Sequence, residues 1–222
     1  MKTALGVSRC CCQKRLLCGP GLINNWSDDF TGYTEGQDLQ FIYQTGFSTQ
    51  FTASNGTGEM LRSGFPVSSP AVFRVYPGHP IEYSTWDFSL DISTASSSGY
   101  LYIFNAALGF PAPMKIYMSW FASGQLDCVT TILPGPFENT SNHILSVSDG
   151  DTLRILVEKI DYSQSTGELT SLVSFYKNGT LITSRQSQNQ TDHSSWCALK
   201  HGVGDLADTT TNIDNWTFQV VK

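Results

Sequence analysis

The stretch from Asp151 to Ser184, DTLRILVEKIDYSQSTGELTSLVSFYKNGTLITS, constrains the fold of this chain more than any other. Leu153, Ile155 and Val157 alternate with Arg154 and Glu158, the period-2 pattern of a half-buried strand. A polar link, IDYSQSTGE, separates this run from LTSLVSFY, where Val173 and Phe175 share one face and Leu172 and Tyr176 the other. Asn178-Gly179 then supplies a tight hairpin, because a type I′ turn needs positive φ at both central residues. Thr180 to Thr183 is the return strand. The stretch predicts three consecutive antiparallel strands and an all-β fold.

The rest of the chain agrees with that class. AVFRVY (71–76), IEYSTWDFSLDI (81–92), YLYIFN (100–105), MKIYMSWFA (114–122), CVTTI (128–132) and IDNWTFQVV (213–221) all read as strands. Both faces of YLYIFN are bulky, which places it centrally in its sheet. No amphipathic helix longer than about two turns and no fixed-period repeat is found. About a dozen short strands separated by turn signals predict a two-sheet antiparallel sandwich of jelly-roll type.

Composition excludes some partners. The formal net charge is −6 and no basic stripe is present, so nothing in the chain neutralises a run of nucleic-acid phosphates. No apolar run approaches the roughly 18 residues of a membrane span. Ala4 to Val7 is too short for the apolar region of a secretory signal. Six Asn-x-Ser/Thr sequons begin at Asn25, Asn55, Asn139, Asn178, Asn189 and Asn215, a number that chance explains in a chain this rich in Ser, Thr and Asn. Residues 1–21 form a Cys-rich segment apart from the domain of 22–222, with Cys10, Cys11, Cys12 and Cys18 inside nine positions. Their spacing is a poor match to zinc knuckles. A surface tail of thiols or disulfides and an attachment to a neighbouring subunit both remain open.

The order of three motifs, DDF (Asp28 to Phe30), strand–strand–NG–strand (Leu153 to Thr183) and IDNWTF (Ile213 to Phe218), resembles the concanavalin A-like lectin/glucanase superfamily, in particular its laminin-G-like members. The resemblance covers about Leu22 to Lys222. It implies a sandwich whose first and last strands pair in one sheet. It also implies a structural Ca²⁺ held by Asp28, Asp29 and Asp214, whose alternative reading is turn capping. On the concave sheet it implies glycan contacts from Tyr100, Tyr102 and Trp120, set against a reading of these rings as packing. Tyr117 and Trp120 are in opposite phase, so only one of them joins the two tyrosines.

The catalytic signatures of this superfamily are missing. Retaining glucanases of the fold carry E-x-D-x-x-E, since two carboxylates about 5–5.5 Å apart flank the sugar bond. Glu158 and Asp161 are out of phase for that work, and Asp87 and Asp91 have Ser89 between them and no Glu. No Gln-x-His strand of the alginate-lyase kind occurs, and His79, His143, His193 and His201 are scattered. The sequence therefore leads to the expectation of a non-catalytic glycan-binding or adhesion module outside the cell or on a virion or cell surface. The alternative is a structural subunit of an assembly or homo-oligomer joined through the Cys-rich head, and a polysaccharide lyase or hydrolase comes third.

Overall fold

The computed structural model describes residues 25–45, 49–62, 72–77, 82–95, 98–107, 115–121, 123–132, 137–166, 168–190, 196–205 and 210–221. The Cys-rich head, and with it Cys10, Cys11, Cys12 and Cys18, lies outside the described residues. Two antiparallel sheets account for the strands. The first runs β13 (Thr180–Gln190), β12 (Glu168–Lys177), β11 (Asp151–Ser163), β6 (Thr85–Ala95), β15 (Thr210–Val221), β4 (Thr57–Arg62), β3 (Thr49–Ser54), with β1 (Asn25–Asp28) also paired to β15. The second runs β10 (Phe137–Ile144), β9 (Gln125–Ile132), β8 (Lys115–Phe121), β7 (Gly99–Ala107), β14 (Trp196–Asp205), β5 (Val72–Pro77), β2 (Gln44–Thr45). This is the jelly-roll sandwich that the alternation predicts, and the first and last strands pair as the resemblance implies.

The Asp151–Ser184 stretch forms three neighbouring strands of the first sheet. Asn178 (φ 50°) and Gly179 (φ 74°) make the turn, with Lys177 opposite Thr180. The link after β11 is shorter than the sequence suggests, because β11 continues to Ser163 past a bulge between Lys159 and Asp161. Asn178 also ties the turn to the sheet: its Oδ1 accepts from the Thr152 amide at 2.8 Å and its Nδ2 donates to Asp151 at 2.7 Å. Asp151 further accepts from the Ser148 amide and pairs with Lys177 at 2.9 Å. Burial pushes its carboxyl up, but Asn178, the Ser148 amide and Lys177 outweigh this and hold it below its ordinary value. A lowered folded pKa contributes stability above the ordinary carboxylate range and loses it as pH falls through the folded value. The thermal midpoint is therefore expected to drop on acidification below about pH 4, and the drop shrinks in Asp151→Asn when both are followed by circular dichroism.

The core lies between the inward faces. Trp86, Phe88, Leu90 and Ile92 of β6, Leu153, Ile155 and Val157 of β11, and Val173 and Phe175 of β12 are fully buried from one side. Leu101 and Ile103 of β7, Ile116, Met118 and Trp120 of β8, and Leu126 and Cys128 of β9 meet them from the other. In β15 both Ile213 and Trp216 are buried although three positions apart, which a regular strand forbids. A register shift between Asp214 and Thr217, with Asn215 at φ 46°, inserts the extra residue that returns Trp216 to the core. There its ring lies 4.9 Å from Tyr43 and 5.6 Å from Phe88.

Candidate functional site

Because Leu101 and Ile103 fill the core, Tyr100 and Tyr102 turn to the outer face of the seven-stranded sheet. Register sets the neighbours. Val129, Tyr117, Tyr102 and Gly202 form one row across β9, β8, β7 and β14. Asp127, Ser119, Tyr100 and Gly204 form the next. The Tyr100 ring is 5.9 Å from Tyr102 and 6.5 Å from Tyr117. Tyr100 and Tyr102 are 8% and 4% exposed, so Tyr117, half-buried, is the ring of the three most open to a ligand. On the other side of the row, Lys115 and Lys200 hold the register positions either side of Phe104.

The chemistry of the three rings differs. The Tyr102 hydroxyl donates to the Val72 carbonyl at 3.4 Å, and burial, with Tyr100 adding, pushes its phenol well above the usual value. It is a neutral, anchored donor. Gly202 makes room for it: a Cβ there stands 2.2 Å from the Tyr102 hydroxyl and 2.3 Å from the Val72 carbonyl oxygen. Trp120, expected on this face, is instead in the core at 2% exposure. It is in register with Gly99 and in phase with Met118 and Ile116, so Tyr117 takes its place beside the tyrosines.

The carboxylate pairs are occupied elsewhere. Asp87 and Asp91 lie on the outer face of the eight-stranded sheet. Asp87 is held by two bonds from Arg154, at 2.8 and 2.7 Å, with the guanidinium 5.0 Å from the centre of the Tyr176 ring. Asp91 accepts from Thr152 and from Asn215.

The three aspartates of the calcium expectation do come to one end of the sandwich, but as acceptors of protein donors. Asp28 takes the Phe30 amide on Oδ1 at 2.9 Å and the hydroxyls of Tyr33 and Tyr43 on Oδ2, each at 2.8 Å. Asp29 caps Thr31 through both amide and hydroxyl. Burial, then the nearby Asp91, Asp29 and Asp28 charges, raise the Asp214 carboxyl, against a lowering bond from the Asn215 amide. An oxygen that already accepts two phenol protons has no lone pair aimed at a cation. Among the described residues no group of three His, Cys, Asp or Glu has a metal-holding arrangement. The set does not fit Ca²⁺, and calcium chelation is expected to leave the thermal midpoint unchanged by scanning calorimetry.

One polar group escaped the sequence reading. Arg185 of β13 donates to Ser141 of β10, closing the side of the sandwich between the two sheets, and Ser141 Oγ lies 3.0 Å from His143 Nε2. Cys128, opposite Ser141 in register, has its thiol pushed up to about 12, by burial first, with Arg185 countering and Asp127 adding. It stays protonated and packs as a core residue.

No protein-family model matches the chain. No curated protein matches it by sequence. Solved structures do match by shape. A double mutant of alginate lyase Aly36B in complex with alginate trisaccharide superposes with a TM-score of 0.61 at 12% identity, over 91% of this chain and 100% of that one. Alginate lyase Aly36B without those substitutions gives 0.61 at 10% identity over the same shares. A weaker likeness, TM-score 0.48 at 10% identity over 92% and 100%, is to a β-glucanase of Bacillus licheniformis. The fold is a jelly-roll sandwich of the concanavalin A-like kind. The expectation of a non-catalytic module is corrected by the same finding. It rested on missing motifs of two enzyme branches, and the structures that superpose with a TM-score of 0.61 are alginate lyases. The absence of those motifs does not separate this chain from enzymes.

Proposed function

We propose that the protein is a polysaccharide-cleaving enzyme, a lyase of uronate-containing chains, working on the outer face of the seven-stranded sheet. The observation that carries this reading is the tyrosine row with Tyr117 open beside it. Elimination from a uronate needs three things. A base takes the proton from the carbon next to the carboxylate. The C–O bond to the neighbouring sugar breaks as the new C=C bond forms. The leaving oxygen receives a proton. A cation near the carboxylate eases the first step by stabilising the charge that develops there.

The chain's own residues supply candidates for each part. Tyr117 is the proton-transferring group of the row. Tyr102, fixed on the Val72 carbonyl, positions it. Lys115 and Lys200 occupy the register positions opposite Phe104 on the two neighbouring strands, which makes them the lysines to substitute in testing for a cation at the carboxylate. The shape likeness to the lyases supports the same reading. Hydrolysis by a carboxylate pair is the weaker alternative. On this face Asp127 is the one carboxylate among the residues whose side chains are described, and Gln125 already donates to it at 2.6 Å.

Tyr117→Phe removes only a hydroxyl from a half-buried ring. It is expected to lower turnover of a polyuronate by about 10²- to 10⁴-fold while leaving the thermal midpoint within error. Steady-state kinetics beside a melting curve check both halves. Full turnover in the variant removes Tyr117 from the chemistry.

A further inference from the structure

The far side of the molecule holds a hollow of about 530 Å³ that the proposed chemistry does not use. It sits on the outer face of the eight-stranded sheet, at the register pair Ser27 and Thr217, and is bounded by Asp28, Asp29, Tyr33 and Asn215. Its volume is in the range of pockets for small ligands. We propose that it binds one neutral pyranose unit of a glycan. This goes beyond the lyase reading and does not rest on it.

The polar groups around the hollow are rich in acceptors, which suits a polyol's donors. Asp29 is ionised, since the Thr31 hydroxyl and amide hold its carboxyl below the ordinary value. Both of those bonds fall on Oδ1, which leaves Oδ2 to receive sugar hydroxyls. Asn215 spends its amide nitrogen on Asp91 at 2.8 Å, which leaves its Oδ1 as a second acceptor. The half-buried Tyr33 ring is held by its hydroxyl on Asp28, and so offers a fixed apolar face beside these acceptors. Gly32 adds no side chain to obstruct it, with nothing within 4 Å of where a Cβ stands. The lining also sets the charge of the ligand. Among the described residues the lining holds two carboxylates and no cation, which disfavours a uronate. The oxygens of Asp28, taken by Phe30, Tyr33 and Tyr43, disfavour a bound metal.

The test is a titration of the ¹⁵N-labelled full chain, followed by amide shifts, with neutral methyl hexopyranosides, with glucuronate and with calcium chloride in separate arms. Saturable shifts confined to residues 27–33 and 215–217 with a neutral glycoside, and weaker ones with glucuronate, are the expected result. Asn215→Gly keeps the left-handed backbone (φ 46°) and removes the amide. It is expected to weaken binding by about tenfold, the worth of one hydrogen bond. Tyr33→Ala is expected to weaken it further. Should Tyr33→Ala fail to fold, Asn215→Gly decides alone. The proposal is overturned if no neutral glycoside shifts these amides, if Asn215→Gly binds unchanged, or if calcium alone produces the same shifts.

Discussion

Gly202→Ala is expected to lower the thermal midpoint by about 5–10 °C, from roughly 2–3 kcal/mol of overpacking in a chain of this size, and to abolish most polysaccharide cleavage. The added methyl meets two atoms of unequal mobility: the Tyr102 hydroxyl at 2.2 Å and the Val72 carbonyl oxygen at 2.3 Å. The tyrosine can swing away, at the loss of its bond to Val72 and of its place beside Tyr100, opposite Tyr117 in register. The carbonyl cannot, because Val72 is locked into the β5–β14 ladder opposite Val203. The double variant Gly202→Ala/Tyr102→Ala therefore recovers part of the stability loss relative to the sum of the single changes. Melting curves of all four proteins give the coupling. Additive effects contradict the contact.

Trp216→Ala is the larger perturbation of the fold, at about 3–5 kcal/mol. The ring is fully buried and joins Tyr43, itself 5.0 Å from Phe51 and 6.0 Å from Phe30, to Phe88 in the middle of β6. Truncation opens a cavity among buried rings held by the eight-stranded sheet and by the 30–43 segment packed on it, which cannot collapse into it. Trp216→Phe keeps most of the contact area and costs less than half as much. Urea unfolding of the three proteins checks the order. A small loss for the alanine variant places Trp216 outside the working core.

How much of this was legible in the sequence depends on how amphipathic each strand is. β6, the first half of β11 and β15 on either side of its bulge alternate, because one face meets the core and the other meets water, and the sequence yields them directly. β10 and the outer half of β13 are edge strands of polar composition, FENTSNHI and RQSQNQ, whose backbone pairing leaves no apolar period to read. The β3–β4 hairpin turns on Asn55-Gly56, with φ of 51° and 75°, the same signal as Asn178-Gly179, but its six-residue strands carry too few apolar positions to show a period. The bulge at Asn215 is invisible to a period-2 count, because the reading of IDNWTF begins again on the correct face after it.

The site was half legible. Parity alone sent Tyr100 and Tyr102 away from the core. The choice between Tyr117 and Trp120 needed the register with β7, which no spacing within one strand supplies. The role of Gly202, and the binding of Asp28 by two tyrosine hydroxyls that removes it from calcium chemistry, are contacts between residues distant in sequence.

The central claim is tested most directly by incubating the full chain with alginate and other polyuronates and following the ultraviolet absorbance of the unsaturated uronyl ends that elimination creates. The account predicts a steady rise with at least one of them, lost in Tyr117→Phe and reduced in Lys115→Ala or Lys200→Ala. No rise with any polyuronate, or a rise that Tyr117→Phe leaves intact, contradicts it.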